Sequence, residues 1–312
     1  MLSRVASLIY WMSRYLERAD NVARFIDVNA RLILDMGSES SQWEPLVRAS
    51  SDEATFEKIY GQAYNEDNVE HFLAFDRENP NSILSCIEKT RENARTVREV
   101  ITTEMWETIN GLYHMVREAA SQEKLDFQKF CQQVHQCNHT FVGLMDNTMS
   151  HTEAWHFAYL GRILERADKT SRMLDVKYFL LLPGARIDSP QDALQWGAVL
   201  RSVSGFEMYR KIHHRAQYRN VTRFLVLDEH FPRSICFCVV AAHESLSAIL
   251  EILGIQSSAK HKLKDLAEHL ENASVDDILN RGLHEFINDT QILLNQIDND
   301  IFKTFFDLKQ AY

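Results

Sequence analysis

WMSRYLERADNVARFIDV, residues 11–28, returns as YLGRILERADKTSRMLDV, residues 159–176, and the two segments are identical at nine of 18 positions with an offset of 148. Apolar residues around the first segment recur every three or four places: Val5, Leu8, Met12, Tyr15, Ala19, Val22, Ile26, Ala30 and Ile33. That period is the signature of an α-helix with one buried face, and here it predicts a long helix over about 3–36 and a second over about 151–182. A further match, NVEHFLAFDRENPNSI at 68–83 against NVTRFLVLDEHFPRSI at 220–235, is identical at eight of 16 positions with an offset of 152. The pairing continues through Cys86 and Cys238, Glu92 and Glu244, Glu99 and Glu251, and Asp146 and Asp298. The expected architecture is all-α: a single compact helical bundle over 1–312, built from two tandem pseudo-symmetric repeats, about 1–149 and about 150–312. The four extra residues of the second offset are assigned to a loop at Pro183–Pro190.

Within each repeat the same order is expected. A second helix covers about 43–60 (and 192–217), a short one 67–76 (and 219–228), and the last 123–149 (and 275–309). Pro80 and Pro232 fit the first turn of a further long helix, where a missing N–H costs nothing.

Composition agrees with that reading. The chain has 312 residues, 45% apolar and 25% charged, with ten Gly and five Pro. At this length about three quarters of the unfolded surface can be buried. So few Gly and Pro, with no Gly-rich loop, argue against all-β, doubly wound nucleotide-binding and disordered chains. A net charge of −10 leaves no global basic field for nucleic acid or anionic membrane. The five cysteines form no CxxC pair and fall in apolar periodic stretches, as buried thiols do in a reducing cytoplasm. The first twenty residues lack an uninterrupted apolar core and do not read as a secretory signal. The longest apolar run, Ile235 to Ala242, falls well short of the roughly 20 residues that span a bilayer.

The candidate site is a charged stripe. At helical spacing Glu17, Asp20, Arg24 and Asp27 share one side of the first helix, and Glu165, Asp168, Arg172 and Asp175 share the matching side of the second. Arg14 and Arg162, and Arg18 and Arg166, are retained while packing neighbours have drifted, Trp11 to Tyr159 and Tyr15 to Ile163. Two readings follow. The two helices cross at the bundle centre and exchange Arg–carboxylate bonds, or the stripe lines a cavity that grips a carboxylate by its guanidinium groups and an amine by its glutamates. Glu92, Arg95 and Glu244 join the candidates from the following helices, where a solvated, paired face is the simpler explanation.

Other chemistry is weaker. Cys131, His135 and His139 fall at i, i+4 and i+8, a spacing that can ligate zinc, but a fourth ligand is missing and an interior stripe is expected. Glu153 and His156 form one Glu-x-x-His pair where a di-metal bundle needs two. Cys236 and Cys238 lie in an apolar run that raises thiol pKa and limits access. The stretch from Tyr209 to Arg219 is locally basic with two interleaved tyrosines: a solvated helix end, or a contact for phosphate, an acidic surface or RNA. No GxxxxGK[ST] or Gly-rich turn after a strand is present to hold ATP.

Taken together, LERADNVARFIDVN, RENARTVREVITTEMWE, the second LERAD and FPRSI resemble the alpha-E family, defined by its Glu-Arg motif, here Glu17-Arg18 and Glu165-Arg166. The resemblance runs from Met1 to Tyr312. It implies an all-α protein encoded beside, or fused to, a circularly permuted ATP-grasp protein, often with a transglutaminase-like peptidase nearby, and a role in ATP-dependent amide-bond formation or peptide modification. ATP and Mg are implied for the partner, with no cofactor on this chain, and the ligand implied is a peptide or amino acid. The alternative is a stand-alone helical-bundle enzyme, metal-dependent or Glu/Arg-based, acting on a small amide or peptide.

Overall fold

A computed structural model of the chain describes residues 1–36, 43–50, 52–181 and 190–307. These contain helices and no strand. In chain order the helices are α1 (Ser3–Met36), α2 (Glu44–Ser50), α3 (Glu53–Tyr60), α4 (Glu66–Ala74), α5 (Ile83–Thr96), α6 (Thr103–Ala119), α7 (Phe127–Thr148), α8 (Glu153–Leu181), α9 (Pro190–Ser202), α10 (Phe206–Ile212), α11 (Tyr218–Leu227), α12 (Ile235–Leu253), α13 (Ser258–Asn272), α14 (Val275–Arg281) and α15 (Leu283–Phe305).

The two long helices α1 and α8 pack directly on each other at the centre. Helices α5 and α7 flank α1, α12 and α15 flank α8, and α6 and α13 lie outside them. The apolar residues spaced along α1 are the reason: Ile9, Tyr10, Met12, Leu16, Ala19, Ala23 and Ile26 are all fully buried. Two short contacts tie the layers crosswise, α9 against α1 and α2 against α8. At the centre Gly161 lets the helices approach, since a Cβ there would stand 2.4 Å from the Tyr10 carbonyl oxygen. We expect Gly161→Ala to cost about 1–3 kcal/mol by overpacking. Gly143→Ala on α7, whose Cβ would meet nothing within 4 Å, should instead gain about 0.4–1 kcal/mol; paired denaturant titrations check both signs.

Several element boundaries differ from the sequence reading. The helix expected at 43–60 is two, α2 and α3. The helix expected at 192–217 is broken at Ser204, which takes a left-handed φ of 52°. There the N–H groups of Ser204 and Gly205 donate back to the carbonyls of Arg201 and Leu200, closing the end of α9. The expected last helix of the second half is divided at Gly282, φ 106°, into α14 and α15. Pro80 and Pro232 lie before their helices rather than inside them. Ser82 and Ser234 are the N-caps, each hydroxyl accepting from the backbone N–H three residues on, at 3.1 and 3.0 Å, and a serine cap fixes the helix start more strongly than a proline does. The loop expected at Pro183–Pro190 falls outside the described residues, except that Pro190 opens α9.

By length and composition α12 could cross a membrane, unlike the short apolar run read from the sequence. In the bundle it packs between α8 and α13 and carries Glu244 and Glu251 on its exposed side. Its apolar character is that of a core helix.

Candidate functional site

The stripe residues meet where α1 crosses α8. Arg18 Nε donates to Glu165 Oε1 at 2.7 Å and its Nη2 to Oε2 at 3.0 Å. In the reverse direction Arg166 Nε donates to Glu17 Oε1 at 2.9 Å and its Nη2 to Oε2 at 3.1 Å. Each Glu-Arg pair of one helix is thus satisfied by the other, with bidentate geometry that suits guanidinium and carboxylate. Glu17, Asp20 and Glu165 are wholly buried.

Each glutamate also has further cations, from different places in the fold. Glu165 accepts from Arg14 Nε at 2.9 Å, and Lys169 lies 3.6 Å away on its own helix. Glu17 accepts instead from Arg233 Nη1 at 3.0 Å, delivered by the turn that precedes α12. Arg233 also reaches Asn21 and, at 3.2 Å, Asp20. The position matching Arg233 in the first half is Asn81, which accepts from Arg18 at 2.7 Å and donates to Asp52 at 2.8 Å.

Electrostatics follow from these contacts. Burial pushes the Glu17 carboxyl up, but the Arg166 and Arg233 guanidiniums overcome it and hold Glu17 at about 2. Burial likewise opposes ionisation of Glu165, and Arg18, Lys169 and Arg14 hold it well below the carboxylate range. The cost is borne by the cations too: burial and the nearby Arg166 pull Arg233 down to about 10.

The layer reaches solvent at two edges. At one, Asp20 binds Arg24 (Nη2 to Oδ2, 2.9 Å) and the Nδ1 of His135 at 2.8 Å. Arg24 also bonds Ser204 Oγ and approaches His139 Nε2 at 3.3 Å. Burial lowers the His139 pKa, and Asp20 is held below its usual range because Arg24 and His135 outweigh its burial. At the other edge Asp168 accepts from Arg172 Nε at 2.9 Å, with Lys169 at 3.3 Å. Burial of Asp168 is outweighed by Lys169 and Arg172, and its pKa falls.

Three candidates lie apart from this layer. Glu92 and Arg95 face outward on α5 and pair with each other at 2.7 Å, both exposed, and Glu244 is exposed on α12. Glu92 borders a shallow hollow of 430 Å³ with Trp11, Tyr15 and Lys89. The histidines weighed as zinc ligands are engaged separately, His135 by Asp20 and His139 by Arg24, and Cys131 is buried. Glu153 is bonded to the Met1 ammonium and His156 to Ser245 Oγ. Burial raises every thiol: Cys86 and Cys236 to about 11, Cys238 to about 12, and Cys131 and Cys137 in the same direction.

Sequence reasoning missed Arg233, His135 and Asp298 as members of the layer. Arg14 donates to Asp298, which also accepts from Tyr10 Oη. A signal for Arg233 existed, because PNS at 80–82 and PRS at 232–234 align and differ by one charge at a turn. His135 and Asp298 had no local signal, since their partners are more than a hundred residues away.

The model of the Alpha-E family, described as a predicted alpha-helical domain with a conserved ER motif, matches residues 1–306. Among curated proteins the chain is similar to proteins of Mycobacterium bovis and Mycobacterium tuberculosis, each named only as an uncharacterized protein. The identity is 21% over 254 residues, covering 75% of this chain and 28% of either relative. The chain therefore spans well under a third of the relatives' length. No solved structure matches it.

Proposed function

From the fact that this chain belongs to the Alpha-E family, we propose that it is the non-ATP-binding helical partner subunit of an ATP-grasp-dependent system that forms amide bonds or modifies peptides. A circularly permuted ATP-grasp protein would supply ATP and Mg chemistry, and a transglutaminase-like peptidase would act in the same system. The relatives support a partner role in that their matched region occupies only 28% of a longer chain, as expected of a domain that works beside another.

The observation that carries the reading is the pairing of the charged layer. Glu17, Glu165, Arg18 and Arg166 are committed to one another, so they serve to lock α1 to α8, and recognition falls to the edges. At those edges the partly exposed Arg172 is suited to a substrate carboxylate and Asp168 to an amine, and the buried Arg24 backs the other edge beside His139. The reciprocal bonds also support two tandem repeats related by a pseudo-twofold axis between α1 and α8.

The test is to recover the tagged full chain from its own cells and measure ATP consumption of what accompanies it. The expected result is a near-stoichiometric second polypeptide whose ATP turnover falls at least about tenfold when the chain carries Arg24→Met or Arg172→Met. Arg172→Met, at a partly exposed side chain, should leave the melting temperature nearly unchanged, whereas Arg24→Met strips the buried Asp20 of a partner and should lower it. Recovery of the chain alone, or turnover indifferent to both variants, would overturn the proposal.

A second reading, a stand-alone amide-acting enzyme, has one observation in its favour: His135 is oriented by the buried Asp20 and is partly open to solvent. Turnover by the isolated chain that is abolished in His135→Gln would establish it.

A further inference from the structure

The locally basic stretch at 209–219 folds into something more specific than a solvated helix end. Helices α9 and α10 and the segment leading into α11 line a cavity of 660 Å³ that is open to solvent on one side. Its lining holds three arginines, Arg201, Arg210 and Arg215, and two histidines, His213 and His214, and none of its described lining residues is acidic. In a chain of net charge −10 this is a concentrated local reversal of sign.

The cations converge on a built floor. The guanidinium of Arg201 lies 4.2 Å from the centre of the Phe206 ring and that of Arg210 lies 5.6 Å from the same ring. Tyr209 is almost completely buried and packs on His213 and Phe224, with centroids at 4.9 and 5.6 Å. Its hydroxyl donates to the Arg215 carbonyl at 2.7 Å and accepts from the Gln217 N–H at 3.4 Å. One buried ring therefore holds the loop that brings Arg215 to the cavity. Among the described residues, none of the three arginines is paired with a carboxylate, whereas every arginine in the layer between α1 and α8 except Arg162 is.

We propose that this cavity binds a small phosphomonoester whose body is apolar or aromatic. Three permanently charged guanidiniums around one space are left largely uncompensated by a monocarboxylate. A phosphoryl group carries close to two negative charges and three acceptor oxygens, which match guanidinium forks. Phe206, Tyr209, Leu194 and Ala216 provide the face on which the organic body rests. The site is distinct from the α1–α8 charged layer and does not depend on the role proposed for that layer.

The experiment uses the full chain and titrates phenyl phosphate, inorganic phosphate and benzoate by calorimetry. Phenyl phosphate should bind one to one and more tightly than either fragment. The Arg210→Ala/Arg215→Ala double variant should weaken it by about tenfold or more, since two charged donors to the phosphoryl oxygens are lost. Phe206→Ala should weaken phenyl phosphate while leaving inorganic phosphate nearly unchanged. Lys211→Ala, an exposed cation of α10 outside the cavity lining, should change binding by less than about twofold. All four altered side chains are at least partly exposed, and a thermal melt confirms that each variant folds. Affinity unchanged in the double variant would overturn the proposal. So would the absence of phenyl phosphate binding to the unaltered chain.

Discussion

Glu165→Ala should cost the bundle about 3–5 kcal/mol, the loss expected when one partner of a buried ion pair is removed. The size follows from what remains behind. Arg18 would be left buried at the centre with its carboxylate gone, Arg14 would keep only Asp298, and Lys169 would lose one of its two carboxylates. Glu165→Gln keeps the shape and one acceptor, so it should lose less than Ala while remaining clearly destabilised, because an amide does not offset two guanidiniums. Replacing the exposed Glu92, whose partners Arg91 and Arg95 are solvated, should cost at most about 1 kcal/mol. Denaturant unfolding of the three variants at pH 7 gives the ranking, and equal losses at Glu165 and Glu92 would refute the keystone role of the layer.

Acid should undo the same layer. The carboxyls of Glu17, Glu165, Asp20 and Asp168 all sit below their ordinary values in the folded chain. Groups with depressed folded pKa values bind protons more readily when unfolded. The stability they add is complete above the unfolded values, near pH 4 to 4.5, and drains away as the pH falls through the folded ones. For Glu17, held at about 2, the loss alone is on the order of 3 kcal/mol. We expect stability to fall steeply from about pH 4.5 towards 2. In Glu17→Gln the whole curve should be lower and the acid limb shallower. An acid limb of unchanged slope in that variant would show that Glu17 does not carry it.

The fold class was legible because the apolar period of α1 and its copy in α8 need no tertiary knowledge. The pairing of Glu17-Arg18 with Glu165-Arg166 was one of two readings that the stripe allowed. A stripe bordering an apolar face looks the same whether it meets another helix or a ligand, and only the crossing of α1 on α8 decides which carboxylate each guanidinium reaches. Boundaries were less legible where competing local chemistry acts. A serine cap displaced the proline start at 80–83 and 232–235, and Ser204 ended a helix at a position that glycine more often takes. Arg233 could not be assigned to Glu17 from sequence because the partners are 216 residues apart. The cavity at Arg201, Arg210 and Arg215 was visible only as a basic run, since Arg201 enters it from another helix.

The partners that satisfy α1 are distant in time as well as in sequence. Glu17 is closed by Arg166 and then Arg233, and Tyr10 and Arg14 by Asp298. At synthesis rates of about 5–20 residues per second, Arg166 leaves the ribosome on the order of ten seconds after Glu17, and Asp298 later still. Throughout that interval Glu17 and the side of α1 that faces α8 are without their final partners, although α5 and α7 can already cover its other side. The first half of the chain must therefore wait for the second before its core is closed, and the nascent protein passes through a prolonged stage in which chaperones and wrong partners compete for α1.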